Sequence, residues 1–294
     1  MQYIVLDLEW NGAYSKQAHG YFNEIIEIGA VRLNEQLQPD GKFHVVIRPQ
    51  LSRKLSDIVT NLTSITAEEL EADGITFAQA VDRLTAFIRD EETVFLTWST
   101  TDLLVLMENV RFYFHQPTIP FMAYYADLQA YFQARAGAPG GQQVALKRAC
   151  EMLEIAGEGL DLHRALDDSV LTARILMRVY EEGSFAEAVY RADDEFYRRI
   201  TFKTTIVHDL NSPYVHAEDM DFSCECGAPL HREGDWRFRN RGFMADMTCP
   251  RCKKEYTGWV QVKLKYEGPE TRKKRMDRIK PKEEKAPVQA ASEV

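Results

Sequence analysis

Apolar and polar residues alternate from Tyr3 to Glu9, with Leu6 and Leu8 on one side of the extended chain and Asp7 and Glu9 on the other. That period of two belongs to a half-buried strand. Ile25 to Leu33 and Phe43 to Ile47 are further strand-like runs, and the turn-rich Asn34 to Gly41 between them completes a predicted three-stranded meander. The period then changes. Thr63 to Leu70 and Thr76 to Arg89 show helical spacing, the latter with Phe77, Val81, Leu84 and Ile88 on one side, before Thr93 to Trp98 returns to strand character and residues 102 to 115 read as helix. Met122 to Tyr125 predicts one more strand, followed by a short helix, a flexible loop from Gly137 to Gly141 and a helix from Val144 to Leu153. A last strong helix begins near Ala165 and runs through Val170, Leu171, Ile175 and Val179, closing a mixed α/β domain of residues 1 to 185.

The remainder differs in character. Residues 186 to 220 read as a helical linker, and 221 to 266 as a small module rich in Gly, Cys and Trp, with a strand-like run at Trp259-Val260-Gln261-Val262-Lys263-Leu264. From 267 to 294, through Arg272-Lys273-Lys274-Arg275, the apolar content predicts a basic, disordered tail. A chain of 294 residues with 45% hydrophobic content can bury one large core and a smaller one. No run approaches the ~18 to 20 apolar residues of a membrane helix. Tyr3-Ile4-Val5-Leu6 also follows the N-terminus without the basic region or cleavage site of a leader, so a cytoplasmic protein with no membrane partner is expected. The formal net charge of −9 is divided: residues 1 to 220 carry 19 Lys and Arg against 33 Asp and Glu, and 221 to 294 carry 17 against 12. The acidic part can hold cations and the basic part phosphates.

Asp7 and Glu9 project from one strand face, about 6.6 Å apart, where two carboxylates repel unless a cation joins them. A solvated acidic pair on an exposed strand would have the same pattern. Asp102 follows the buried run Val94 to Trp98 across Ser99-Thr100-Thr101, at the C-terminal edge of a strand where α/β sites form; the same position also suits a helix N-cap. In His163-Arg164-Ala165-Leu166-Asp167-Asp168-Ser169, helical spacing puts Asp168 on the face of Leu171, Ile175 and Val179. Asp167 instead lines up with Arg174 and Arg178, suited to capping or to ion pairing. His163 is best placed on the loop entering the helix, free to face the same cleft.

Leu6-Asp7-Leu8-Glu9, Trp98-Ser99-Thr100-Thr101-Asp102 and His163 to Asp168 resemble the three motifs of the DEDDh family of 3′-to-5′ exonucleases, in the same order and spacing. Supporting matches are Glu24 to Val31, Asn61 to Thr66 and Ala126-Asp127-Leu128, so the resemblance covers about residues 1 to 182. It is nearest to the branch of histone-mRNA and small-RNA 3′ exonucleases and their bacterial relatives, some known as inhibitors of a sporulation kinase pathway. The implied fold is α/β and RNase H-like (DnaQ-like), a mixed central sheet with an antiparallel three-stranded start flanked by helices. Ser99 and Thr100 stand where the branch often has Gly, and Trp10 where small or hydroxyl residues are common.

The resemblance implies that Asp7, Glu9, Asp102 and Asp168 hold two Mg²⁺ or Mn²⁺ ions. Such a pair can generate a nucleophile from water, stabilise phosphoryl charge and assist the leaving oxygen. It implies His163 as the base, since histidine exchanges a proton near neutral pH. The expected reaction removes nucleoside 5′-monophosphates from 3′ ends of single-stranded nucleic acid, RNA favoured over DNA. A nucleic-acid-binding regulator with an unused site, or an adaptor working through the C-terminal module, is the alternative; the intact acidic set argues against the first.

Cys224-Glu225-Cys226 and Cys249-Pro250-Arg251-Cys252, with 22 residues between them, present paired thiols as a tetrahedral Cys₄ zinc site requires. The module resembles a zinc ribbon, although C-x-C is tighter than the usual C-x-x-C. A disulfide or redox pair is the other reading. His231-Arg232-Glu233 with Cys249 and Cys252 imitates a deaminase signature, but Pro250 follows its cysteine, and Cys224 and Cys226 would be left over. Basic residues such as Arg237, Arg239 and Lys254 interleave with Trp236, Phe238 and Trp259. This predicts that the module and the segment Arg272 to Lys285 guide single-stranded substrate to the acidic domain.

Overall fold

In a computed structural model, described for residues 1–52, 54–89, 92–137, 143–157 and 159–278, the chain divides into two compact units, 1–201 and 202–294. The first unit opens with β1 (Gln2–Ser15), β2 (Gly20–Leu33) and β3 (Pro39–Val46), paired antiparallel as the meander predicts but longer at β1 and β2. Short helices α1 (Asp57–Thr63) and α2 (Ala67–Ala72) follow. The helical spacing of 63–70 therefore spans two helices, because Ser64 turns left-handed (φ 58°) and Thr66 starts α2 by accepting from the Glu69 N–H. Next come α3 (Phe77–Ile88), β4 (Thr93–Thr97), α4 (Thr101–Phe114), β5 (Tyr124–Asp127), α5 (Leu128–Ala136), α6 (Leu146–Met152) and α7 (Ala165–Val179). Most of the predicted loop from Gly137 to Gly141 lies outside the described residues.

The sheet runs β3-β2-β1-β4-β5 with a short sixth strand beyond β5, and β1–β4 and β4–β5 are parallel. Helices cover both faces. Ile4, Leu6 and Leu8 of β1 pack with Leu84 of α3 and Leu106 of α4, while Tyr3 and Val5 pack with Ala173 and Leu176 of α7. The period of two in β1 thus sends Asp7 and Glu9 toward the α7 side.

The first unit continues beyond the expected boundary at 185. Helix α8 (Glu182–Glu187), the short β6 (Tyr190–Arg191) on β5, and α9 (Asp194–Ile200) belong to it. Buried Phe196 stacks 4.1 Å from the ring of Tyr125. The expected helical linker is therefore part core element and part irregular chain. The aromatic anchors Phe196 and Tyr197 meet Tyr125 and Ile119, 71 and 78 positions away, which local spacing does not reveal.

In the second unit, β7 (Thr205–Ile206) pairs with β10, and β8 (His231–Arg239), β9 (Gly242–Thr248), β10 (Glu255–Lys265) and β11 (Gly268–Asp277) form an antiparallel sheet in chain order. The start of the expected disordered tail is thus a strand: β11 pairs with β10 from Asp277 to Gly268. Its alternation is masked by Lys and Arg, and the backbone hydrogen bonds of β10 supply what apolar content does not. Residues 279–294 of that tail lie outside the described residues. Among the described residues no helix is long and apolar enough to cross a membrane.

Candidate active site

Register places the first two carboxylates. Asp7 lies opposite Gly29 and Glu9 opposite Glu27 on β2, and the register slips immediately afterwards, where Trp10 faces Ile25. The extra residue on β2 is a bulge, a device that bends a strand beside a site.

Helix α7 brings in the next two groups. A Cβ on Gly29 would meet the backbone of Ala165 and Leu166 at 2.1 Å, so only glycine lets the first turn of α7 lie this close to β2. Ser169 Oγ donates to the Gly29 carbonyl at 2.9 Å and fixes the contact. Glu27, fully buried, accepts from the Ala165 N–H (2.8 Å), from Arg164 (2.6 and 2.9 Å) and pairs with His44 (2.7 Å). Burial would raise its pKa, but these bonds outweigh burial and hold it below the usual carboxylate range. Seated this way, α7 aims buried Asp168 into the cleft. Its Oδ2 accepts from the His163 N–H at 3.2 Å, while Oδ1 is buried without a hydrogen-bond partner. His163 has a left-handed backbone (φ 69°) on the loop before α7, and its side chain is exposed to the cleft. Asp167 neither caps the helix nor meets Arg174; its Oδ2 accepts from the Asp161 N–H at 2.9 Å and closes that loop.

Asp102 sits in the first turn of α4, after a turn in which Ser99 takes a φ of 84°. Glycine adopts such an angle without strain, so a serine there is held by its surroundings; the Thr97 hydroxyl donates to its carbonyl. Thr100, not Asp102, is the N-cap. The buried Asp102 carboxylate instead reaches back to β1 and accepts from the Leu8 N–H at 3.1 Å.

Asp7, Glu9, Asp102, His163 and Asp168 all line one cleft of about 570 Å³, with Trp10, Ile58, Leu62 and Trp98 on its walls. A larger cavity of about 810 Å³, between α3, the end of α4 and the start of β5, contains none of the five. Burial, and then the charges of Asp102, Asp168 and Glu9, push Asp7 well above the ordinary carboxylate range. Burial followed by Glu27 and Asp168 raises Glu9 to about 8. Burial takes Asp102 to about 7 against the hydrogen bonds that favour its charged form, and raises Asp168 against the His163 N–H. Four carboxylates that hold protons this tightly, with a buried Asp168 oxygen left without a donor, fit divalent cations with oxygen ligands. Glu9, His163 and Asp168 bring ligand atoms within 4.8 Å of one another, so His163 stands close enough to ligate as well as to act as a base.

The family model described as Exonuclease matches residues 4–176. The chain belongs to this exonuclease family. Its fold is that of DEDDh 3′ exonucleases. The nuclease domain of 3′hExo, a DEDDh family member bound to rAMP, matches with a TM-score of 0.54 and 22% identity over 65% of this chain and 96% of that one. A 3′-exonuclease recognising the 3′ end of the histone mRNA stem-loop matches with a TM-score of 0.53 and 21% identity over 66% and 71%. Exonuclease I matches with a TM-score of 0.50 and 16% identity over 90% and 55%, so the chain spans about half the length of that protein. No curated protein matches its sequence closely. The family makes the chain a metal-dependent exonuclease, a hydrolase acting on nucleic acid.

Within this exonuclease, the roles of Glu27 and Gly29 are not apparent from the motif residues alone. A signal exists: Glu27 is an ionisable residue inside the otherwise apolar run Ile25 to Val31, which a buried strand tolerates only with partners. Asn11 and Glu24 act similarly on the opposite wall. Asn11 Oδ1 accepts from the Ser56 N–H (3.0 Å), and Glu24 accepts from the Leu51 and Ser52 N–H groups (3.0 Å each), fixing the segment that leads into α1.

In the second unit, Cys224 and Cys226 occupy one tight turn (Gly227 N–H to Cys224 O, 2.9 Å) and Cys249 and Cys252 another (Lys253 N–H to Cys249 O, 3.0 Å). Their sulfurs all lie within 4.8 Å, with Cys224–Cys252 at 3.4 Å and Cys226–Cys249 at 3.5 Å. Those separations are too long for a disulfide. They approach the ~3.8 Å edge of a tetrahedron with Zn–S bonds of ~2.3 Å. A hydrogen bond from the Tyr256 hydroxyl, then one from the Cys226 backbone, lowers the Cys224 thiol to about 6. The cluster fits a zinc module, and the separate basic sheet around it accounts for the charge division along the chain.

Proposed function

We propose that this exonuclease removes nucleotides successively from 3′ ends of single-stranded nucleic acid, RNA in preference to DNA, and releases nucleoside 5′-monophosphates. Asp7, Glu9, Asp102 and Asp168 would hold two Mg²⁺ or Mn²⁺ ions. The observation that carries this reading is the buried Asp168 oxygen without a donor, set among carboxylates that burial, and then neighbouring charge, raises above the ordinary range. Bound there, the ions would supply Lewis-acid stabilisation and an acidified water.

The chain's own groups do the rest. His163, facing the cleft from its left-handed turn, takes a proton from the attacking water at an imidazole nitrogen. The Asp168 carboxylate bonded to its backbone N–H sets where that ring stands. Trp10, Ile58 and Leu62 offer apolar surface for the terminal nucleotide. The preference for RNA is supported by likeness in fold to the exonuclease of the histone mRNA stem-loop. We further propose one structural Zn²⁺ on Cys224, Cys226, Cys249 and Cys252. The free thiols of the chain suit a reducing compartment, which supports a cytoplasmic site of action.

The decisive experiment compares matched RNA and DNA oligonucleotides, with free and blocked 3′ ends, in Mg²⁺ and Mn²⁺. Mononucleotides released only from free 3′ ends, faster from RNA, are expected. Undiminished Mg²⁺-dependent release by purified Asp7→Ala protein would sink the assignment. Elemental analysis showing one zinc per chain, lost in Cys252→Ser, is the expectation for the cysteine cluster.

A further inference from the structure

The sheet of the second unit has two unlike faces. On β10, Tyr256, Gly258, Val260 and Val262 point inward and are buried, with Phe243 and the cysteines on the same side. Trp259 points the other way. Cross-strand register sets it in a row with Met244 on β9, Arg237 on β8 and Lys274 on β11. Arg239 lies opposite Gly242 in the neighbouring row.

Trp259 is held in a particular pose. A Cβ on Gly242 would meet Trp259 Nε1 at 2.6 Å and Cε2 at 2.8 Å, so the indole lies over the glycine. Its N–H donates to the Asn240 carbonyl at 3.3 Å. That carbonyl belongs to a two-residue turn, Asn240-Arg241, with both residues left-handed (φ 52° and 58°), a geometry suited to a tight hairpin. The ring stays half-exposed, lying along the sheet. Carboxylates on this face are engaged in ion pairs, Asp246 with Arg237 at 3.4 Å and Glu270 with Arg272 at 2.6 Å, while Arg239 and Lys274 extend exposed beside the indole.

We propose that this open face of the β8–β11 sheet binds single-stranded nucleic acid, with Trp259 stacking a base and Arg239 and Lys274 taking neighbouring phosphates. Charge and shape select that occupant. An anchored indole offers a π-face to any unstacked base, and flanking cations track the backbone. A duplex keeps its bases stacked on one another and gives the indole nothing to stack on. A protein partner would need a continuous apolar patch, whereas Trp259 and Met244 stand among charges. The surface concerns binding alone and does not depend on the hydrolytic reading of the first unit.

The test measures binding of a 5′-fluorescent 15-nucleotide strand to the full chain by anisotropy, without added divalent cation so that nothing is cleaved. Trp259→Ala should weaken binding about tenfold, and Trp259→Phe less than about threefold, since a phenyl ring still stacks. Arg239→Glu with Lys274→Glu replaces two exposed side chains and should leave the fold intact; it should weaken binding and reduce the slope of log Kd against log salt by about 1.4, two phosphates' worth. Hydrolysis of a dinucleotide, which the cleft of the first unit takes by itself, should be unchanged in all three. Affinities within twofold of the parent in both Trp259→Ala and the double variant would overturn the proposal. So would equal binding of a duplex, or polyglutamate binding that falls by the same factor in Trp259→Ala, which would indicate an acidic protein partner. A chain with Trp259-dependent binding but no hydrolysis would leave this surface standing and remove the function proposed for the first unit.

Discussion

The Asp168 carboxylate is divided between two environments: one oxygen accepts from the His163 backbone and the other is buried without a partner. Buried polar atoms in native proteins are satisfied as a rule, so this one calls for a cation. Asp7→Ala is therefore expected to lose both Mn²⁺ binding and turnover, seen by titration calorimetry and nucleotide release. His163→Ala should lose about 10²- to 10⁴-fold in kcat, the range for a general base, and retain Mn²⁺ binding. Loss of Mn²⁺ binding in that variant would make His163 a ligand, as its proximity to Glu9 and Asp168 allows. Gly29→Ala pushes a methyl into the backbone of α7. Overpacking of this kind costs about 1 to 3 kcal/mol, and denaturant melts should show that loss together with a lower kcat, because Asp168 moves with the helix.

Helix α7 is the element on which the site depends, and its N-terminus is docked by Glu27 rather than by a capping side chain of its own. Removing one member of a buried ion pair costs about 3 to 5 kcal/mol; Glu27→Ala, with Arg164 and His44 left without their shared partner, should fall in that range in urea unfolding. The carboxylate cluster also makes stability depend on pH. Folding raises Glu9 from 4.5 to about 8 and Asp102 from 3.8 to about 7, so the folded chain holds those protons more tightly than the unfolded one. Their stabilisation is complete below the unfolded values and is lost as pH rises through about 7 to 8. Without added divalent cation, the Tm should fall between about pH 5 and pH 8.5, and Mn²⁺ should restore it at the upper end. A Tm that rises over that interval would contradict the burial of these carboxylates.

At the scale of the whole molecule, chemistry and basic surface belong to different units, each with its own core. The boundary falls at Thr201, past the aromatic anchors Phe196 and Tyr197. A chain ending at residue 201 should fold and cleave a dinucleotide at a rate near that of the full chain. One ending at 185 should expose Tyr125 and lose stability, which thermal melts of the two truncations would distinguish.

Strand and helix periodicity by itself specified the three-stranded start, the face carrying Asp7 and Glu9 and the choice of Asp168 over Asp167, because each depends only on where neighbouring residues of one element point. The cysteine spacing was equally legible. Tertiary structure alone decided that Glu27 anchors α7, that Gly29 admits it, that Asp102 binds back to β1 instead of capping α4, and that β11 is a strand. Asp102 and Glu27 meet partners 94 and 138 positions away, and pairing at such distances leaves no period in the chain. The acids expected from the sequence line one cleft; what the fold adds is the reason they are held together.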